Sequence, residues 1–346
     1  ATEGRYEADF ADHPSLKLTK VLLFALMMTH VVTTFRSLNA LFWVLVLSAL
    51  ILGLQAYSTP YGSFVSGRLE SVGGPDFSDA NRLAGCLAGM FFIVGVQFVR
   101  SGWMGRVVTF LAGGFVANGI VLTRSRGGAA GVAAGGLVAL LLAPKRYRGL
   151  IVLGLLLAGL GWLYLSDPQF ISRTGTILDD ADQMDVSATS RLEIWSGAWQ
   201  MIGDHPLGVG AGNFYQNIGD YATNHPGRDA HNTLLRCAGE LGWIGIALFL
   251  WVVVSAVLVL RRCVRDAESL SPPRRKDALW WAFGLQTGLA AVLVYGMTGT
   301  LIYTEYLWWF VALPVCLSRA IANCKEDEGG LLSAEAARPE TANATA

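Results

Sequence analysis

Nine apolar stretches, most of them close to twenty residues long, run through this chain at 16–35, 39–57, 81–99, 103–122, 127–143, 149–165, 237–260, 278–297 and 300–319. A helix rises ~1.5 Å per residue, so about twenty residues match the ~30 Å hydrocarbon layer of a bilayer. This limits the fold more than any other feature, because backbone N–H and C=O groups in lipid must pair within the segment. The expected fold class is an all-α polytopic membrane protein with about nine transmembrane helices. Composition agrees: 53% of the 346 residues are hydrophobic and 15% charged, against the ~25% charged residues of soluble domains. Twenty-six basic and 26 acidic residues balance, so net charge points to no nucleic-acid partner.

The stretches 81–99 and 127–143 are rich in Gly and Ala, which suits close helix packing better than lipid contact. The five cysteines (86, 237, 263, 316, 324) form no CxxC pair, and the five histidines (13, 30, 205, 225, 231) form no HExxH. No metal and no cofactor is therefore expected.

Orientation follows from the cations. One set of alternating loops holds Arg36, Arg100, Arg106, Lys145, Arg146, Arg148, the run from Arg261 to Lys276, Arg319 and Lys325. By the positive-inside rule this side is cytoplasmic. The loops 58–80 and 123–127, the segment 166–236 and the turn 298–299 then lie outside, and so does residue 1. The chain opens on Ala1 with no Met and an odd number of spans follows. It is expected to be a fragment lacking an odd number of N-terminal helices. Four regions result: a transmembrane bundle over 1–165, a periplasmic loop over 166–236, transmembrane helices over 237–319 and a disordered cytoplasmic tail over 320–346.

The outer loop of about seventy residues is not low-complexity, and loops of that length are usually functional or disordered. Leu192, Trp195, Trp199 and Ile202 recur at helical spacing and Ser190 with Glu193 forms a capping box. This predicts an amphipathic helix over 190–202 lying at the membrane interface with Trp as anchor. The stretch 205–214 reads as a Gly-punctuated turn and 225–228 as a solvated loop. Asp229 is the expected N-cap of the seventh span, which places His231 in its first turn and Glu240 within the apolar stretch.

Beyond position 20 every outward cation is Arg: 68, 82, 124, 126, 173, 191, 228 and 236. Arg124 and Arg126 share a loop of about five residues on the side where cations are normally scarce. A guanidinium fork suits phosphate. Several rim arginines, a rim histidine and an amphipathic flap thus suggest a lipid-linked phosphate or pyrophosphate substrate. An anion transporter using Arg124 and Arg126 would share these features, although the hydropathy shows no inverted repeat.

Three ordered blocks resemble the O-antigen ligase and O-antigen polymerase superfamily of bacterial membrane glycosyltransferases. The first is Gly67-Arg68 with Asp79-Ala80-Asn81-Arg82-Leu83-Ala84, and the second is Thr123-Arg124-Ser125-Arg126-Gly127. The third comprises Arg191 and Trp195, His205-Pro206-Leu207-Gly208-Val209-Gly210, Asn213-Phe214, Ala230-His231-Asn232, Glu240-x-Gly242 and Gly245. The resemblance implies a GT-C-like enzyme of the bacterial inner membrane, full members of which have more spans. It would move a glycan from undecaprenyl pyrophosphate to an acceptor hydroxyl, with inversion and without metal. Arg126 and Arg191, with Arg124 and Arg68, would hold the pyrophosphate, and His231 would take the hydroxyl proton. Asn81, Asn232 and Glu240 would support them, and His205 would set the Pro206–Gly208 turn. The acceptor distinguishes a ligase (lipid A core) from a polymerase (another glycan repeat) and from a protein O-oligosaccharyltransferase.

Overall fold

The computed structural model describes residues 13–60, 64, 68–74, 77, 79–165 and 186–336. Eleven α-helices and no strand occur among them: α1 (Pro14–Val31), α2 (Phe35–Ser58), α3 (Ala80–Arg100), α4 (Trp103–Leu122), α5 (Arg126–Leu142), α6 (Lys145–Leu165), α7 (Val186–Asp204), α8 (Phe214–Tyr221), α9 (Thr233–Asp266), α10 (Pro272–Gly296) and α11 (Glu305–Ala336). A helix coincides with each of the nine apolar stretches. Six are long and apolar enough to cross a membrane by length and composition: α2, α3, α4, α9, α10 and α11. Helix α5, at 17 residues, is apolar but shorter.

Helices α3 and α10 form the centre and α5 packs against both. Small residues permit this, as expected of the Gly/Ala-rich segments. A Cβ on Gly131 would stand 2.7 Å from the Ala291 carbonyl oxygen, and one on Gly128 would stand 2.7 Å from the Ala84 Cβ. The perimeter is apolar and exposed, with Phe24 and Met27 on α1, Phe110 on α4, and Trp251 and Val254 on α9. A water-soluble bundle would bury such side chains.

Several boundaries differ from the sequence reading. The first two helices break at Val32–Thr34, where Thr34 and Ser37 form a reciprocal capping box. Helix α11 starts at Glu305 rather than 300, because Thr300 and Leu301 bond to Asp229 and Thr233 instead of entering a helix. The tail does not go irregular at 320. Helix α11 runs to Ala336, and Glu328 accepts hydrogen bonds from the Ser271 N–H at 3.1 Å and from its hydroxyl at 2.5 Å. Residues 166–185, with Arg173 and five of the loop's carboxylates, lie outside the described residues, as do 337–346.

Candidate functional site

Helices α3, α5, α9 and α11 all begin at the end of the bundle that carries the loop from α6 to α9. Three of these starts are capped by short polar side chains. Asp79 accepts from the Asn81 N–H at 2.6 Å, Ser125 from the Gly128 N–H at 3.2 Å, and Asn232 from the Leu234 and Leu235 N–H groups at 2.9 and 3.1 Å. The partially positive helix ends therefore converge on one region.

Arg68 is fastened there by the turn between α4 and α5. Its Nε donates to the Thr123 carbonyl at 3.2 Å and its Nη2 to Asn81 Oδ1 at 2.7 Å. The Ser125 hydroxyl donates to the same Asn81 oxygen at 2.9 Å. Asn81 thus ties the segment at Arg68, the start of α3 and the α4–α5 turn together. Arg124 occupies that turn in a left-handed conformation, φ 48°, which turns the chain sharply before Arg126 opens α5. Gly127 lets the turn seat against Thr298 and Tyr295, where a side chain would collide.

Helix α7 carries Arg191 to this region. Burial, followed by the charges of Arg126 and Arg68, lowers Arg191 from the ordinary arginine value. Three guanidinium groups from distant parts of the chain are therefore close enough to repel one another, with Asp79 nearby in partial compensation. The face of α7 that packs inward is Ile194, Ala198, Met201 and Ile202. Of the expected stripe, Leu192 and Trp199 are exposed and Ile202 is buried. Trp195 is not a free interface anchor, since its indole N–H donates to the Ala230 carbonyl at 2.7 Å. The capping box also falls away, because α7 starts at Val186 and Ser190 lies inside it.

His231 stands two residues before α9, in a left-handed conformation with φ 45°. Asn232, not Asp229, caps the helix. Asp229 is occupied elsewhere: its Oδ1 accepts from Arg236 Nη1 and from the Thr300 hydroxyl, each at 3.0 Å. Its Oδ2 stands 4.0 Å from His231 Nδ1. The imidazole is a third exposed. Burial lowers its pKa from the usual 6.5, and the neighbouring charges of Asp229, Arg191, Asp79 and Arg82 partly cancel one another. A neutral imidazole beside cationic guanidinium groups can accept a proton at neutral pH.

Beneath His231 lies a buried polar network centred on Glu240. Its Oε1 accepts from Arg236 Nε at 2.9 Å and from the Phe214 N–H at 3.3 Å, and its Oε2 accepts from the Tyr303 hydroxyl. Arg236 Nη1 also donates to the Tyr215 hydroxyl at 2.6 Å. Burial and Asp229 raise Tyr215 above the usual tyrosine value, and burial and Glu240 raise Tyr303, so both phenols stay protonated. Every partner a buried carboxylate needs is thus supplied.

Helix α9 is broken two residues later at Gly242, φ 68°. The 205–210 turn fills the break. Val209 and Gly210 N–H groups donate to the freed carbonyls of Gly239 and Glu240 at 2.9 Å, and the Trp243 N–H donates to the Pro206 carbonyl at 3.0 Å. Gly208, φ 82°, lies so close to Glu240 and Gly242 that no side chain fits. The turn is therefore docked onto α9. Residues 226–228 are exposed, as expected of a solvated loop, while His225 Nε2 pairs with Glu193 Oε2 at 2.8 Å.

Of the residues singled out from sequence, Arg68, Asn81, Arg126, Arg191 and His231 come together, with Arg124 on the turn before Arg126. Asn232 and Glu240 lie directly behind His231. Sequence reasoning assigned no role to Arg82, Asp79 or Arg236 and took Asp229 only as an N-cap; the charges of these residues surround His231 and Tyr215. Arg82 is adjacent to Asn81 in a block already quoted and could have been included. Tyr303, in an apolar run, gives no such signal. Among the described residues no cluster of His, Cys, Asp or Glu could hold a metal ion.

Residues 111–250 match the family model described as O-Antigen ligase. This segment contains Arg124, Arg126, Arg191, His231 and Glu240. No curated protein matches the chain. Among solved structures, a chain of "Structural coordination of polymerization and crosslinking by a peptidoglycan synthase complex" is similar at 19% identity and a TM-score of 0.45, covering 90% of this chain and 89% of that one. Residues 111–250 are thus similar to the O-antigen ligase family, in a chain with six helices long and apolar enough to cross a membrane among the described residues.

Proposed function

We propose that this protein transfers a glycan from undecaprenyl pyrophosphate to an acceptor hydroxyl at the periplasmic face of the bacterial inner membrane. The observation that carries this reading is the gathering of Arg68, Arg126 and Arg191 beside a partly exposed, neutral histidine. Leaving-group departure places negative charge on the pyrophosphate, and guanidinium groups aimed at that charge lower the barrier. The convergent N-termini of α3, α5 and α9 add to the same field. His231 takes the proton of the acceptor hydroxyl as its oxygen attacks the anomeric carbon from the face opposite the pyrophosphate, which inverts that centre. Asp229 orients the imidazole and stabilises the imidazolium that forms.

The remaining cations support the orientation. Arg36, Arg106, Arg261, Arg262, Arg275 and Lys276 lie at the opposite end of the bundle, which the positive-inside rule assigns to the cytoplasm. In this reading α1 to α6 and α9 to α11 are nine spans. Helix α7, with exposed Leu192 and Trp199, rests on the outer membrane surface and borders the site. The acceptor reaches His231 from the periplasm, and the isoprenoid chain lies along the bundle.

The test is glycan transfer in vitro from an undecaprenyl-pyrophosphate oligosaccharide, without added metal, to lipid A core, glycan and protein acceptors. Product from the wild type is expected with one acceptor class, which separates ligase from polymerase and protein glycosyltransferase. His231→Ala is expected to lower the rate by ~10²–10⁴-fold. Transfer undiminished in His231→Ala would remove the histidine from the mechanism.

A further inference from the structure

At the end of the bundle remote from His231, the end of α5, the start of α6, the end of α9 and the start of α10 enclose a cavity of about 980 Å³. Its rim carries Arg146, Arg261, Arg262, Arg265, Arg275 and Lys276, all exposed, and no Asp or Glu lines it. The nearest carboxylates in sequence are engaged elsewhere. Asp266 pairs with Lys325 at 3.6 Å and Asp277 with Arg100 at 3.0 Å.

Below the cations the wall becomes aromatic and apolar. Tyr147 meets Trp280 edge-on at 5.6 Å, and Trp280 meets Phe283 edge-on at 5.7 Å. The lining continues down α10 to Gln286, which is ten residues, or ~15 Å of helix, beyond Lys276. A topological signal explains why cations collect at this end. It does not explain why they ring an aromatic-walled cavity while the carboxylates turn away.

We propose that this cavity binds an anionic membrane lipid, its phosphate headgroup among the six cations and its chains against the Tyr147–Trp280–Phe283 wall. The two zones match the two ends of an amphiphile, whereas a free phosphate would leave the apolar depth unfilled. Several cations at one headgroup favour a lipid that carries two phosphates. The site is separate from the arginine cluster around Arg126.

Native mass spectrometry of the full chain in mild detergent tests this, with diphosphatidylglycerol, phosphatidylethanolamine and inorganic pyrophosphate as probes. Wild type is compared with R262Q/R265Q/R275Q and with R36Q/R106Q/R148Q, which removes the same charge at the same end outside the cavity. All six positions are exposed, so the substitutions leave the core intact. The expected result is retention of diphosphatidylglycerol by the wild type and the second variant, and at least about tenfold weaker retention by the first. Equal retention by all three proteins, or equal loss in both variants, would overturn the site. Pyrophosphate held as tightly as the lipid would overturn the lipid assignment.

Discussion

His231 combines three properties that a general base needs: partial exposure, a pKa lowered by burial, and a carboxylate at 4.0 Å to orient it. Its left-handed backbone costs of order 1–3 kcal/mol and keeps the imidazole out of the helix. Because the folded pKa lies below the usual 6.5, the imidazole is neutral at pH 7 and protonates only on acidification. The transfer rate is expected to be level through neutrality and to fall on the acid side with a midpoint below about 6.5. A pH profile of kcat/KM checks this, and a midpoint above 7 would contradict it. His231 could be singled out as a candidate from the sequence, but its conformation could not. Asp229 and Asn232 are both acceptable N-caps, and the choice is made by Arg236 and by Thr300, a residue 71 positions away.

At the scale of elements, the broken helix α9 and the turn docked on it hold the histidine in place. The kink at Gly242 exposes two carbonyls that the 205–210 turn satisfies, and Glu240 anchors Arg236, Tyr303 and the start of α8. Removing the carboxylate takes from the buried Arg236 guanidinium one of its two carboxylate partners and leaves the Phe214 N–H and the Tyr303 hydroxyl without their acceptor. Glu240→Ala is therefore expected to destabilise the protein by ~3–5 kcal/mol, and Tyr303→Phe by ~1–3 kcal/mol. Thermal unfolding in detergent measures both, and equal melting temperatures for Glu240→Ala and wild type would contradict a structural role. The glycines and the lone carboxylate in an apolar run signalled something unusual here. What the sequence could not reveal was their pairing, since turn and kink are more than thirty residues apart. The inward face of α7 was not legible for a related reason. Periodicity finds an apolar stripe, but two overlapping stripes exist, and contact with α8 and α9 selects Ile194, Ala198 and Met201.

For the whole molecule, apolar run length carried most of the information, because lipid allows so few backbone solutions. Helices fell on all nine runs. Their ends were less legible, as at Thr300–Thr304, where tertiary hydrogen bonds replace helical ones. The proposed orientation makes a direct expectation. Gly203 and Gly102 stand at opposite ends of the bundle, and a Cβ at either meets open space. The native cysteines are buried except Cys324, which is half-buried and can be changed to Ser. In spheroplasts an impermeant maleimide is expected to label Gly203→Cys directly and Gly102→Cys only after lysis. The reverse pattern would invert the proposed topology.

The central claim is a division of labour, with arginines holding the pyrophosphate and His231 moving the proton. It is tested most directly by measuring donor binding and glycan transfer on the same purified variants. Arg126→Ala and Arg191→Ala are expected to weaken binding of undecaprenyl-pyrophosphate oligosaccharide. His231→Ala is expected to bind the donor as the wild type does and yet form almost no product. Donor binding lost in His231→Ala but kept in both arginine variants would contradict it.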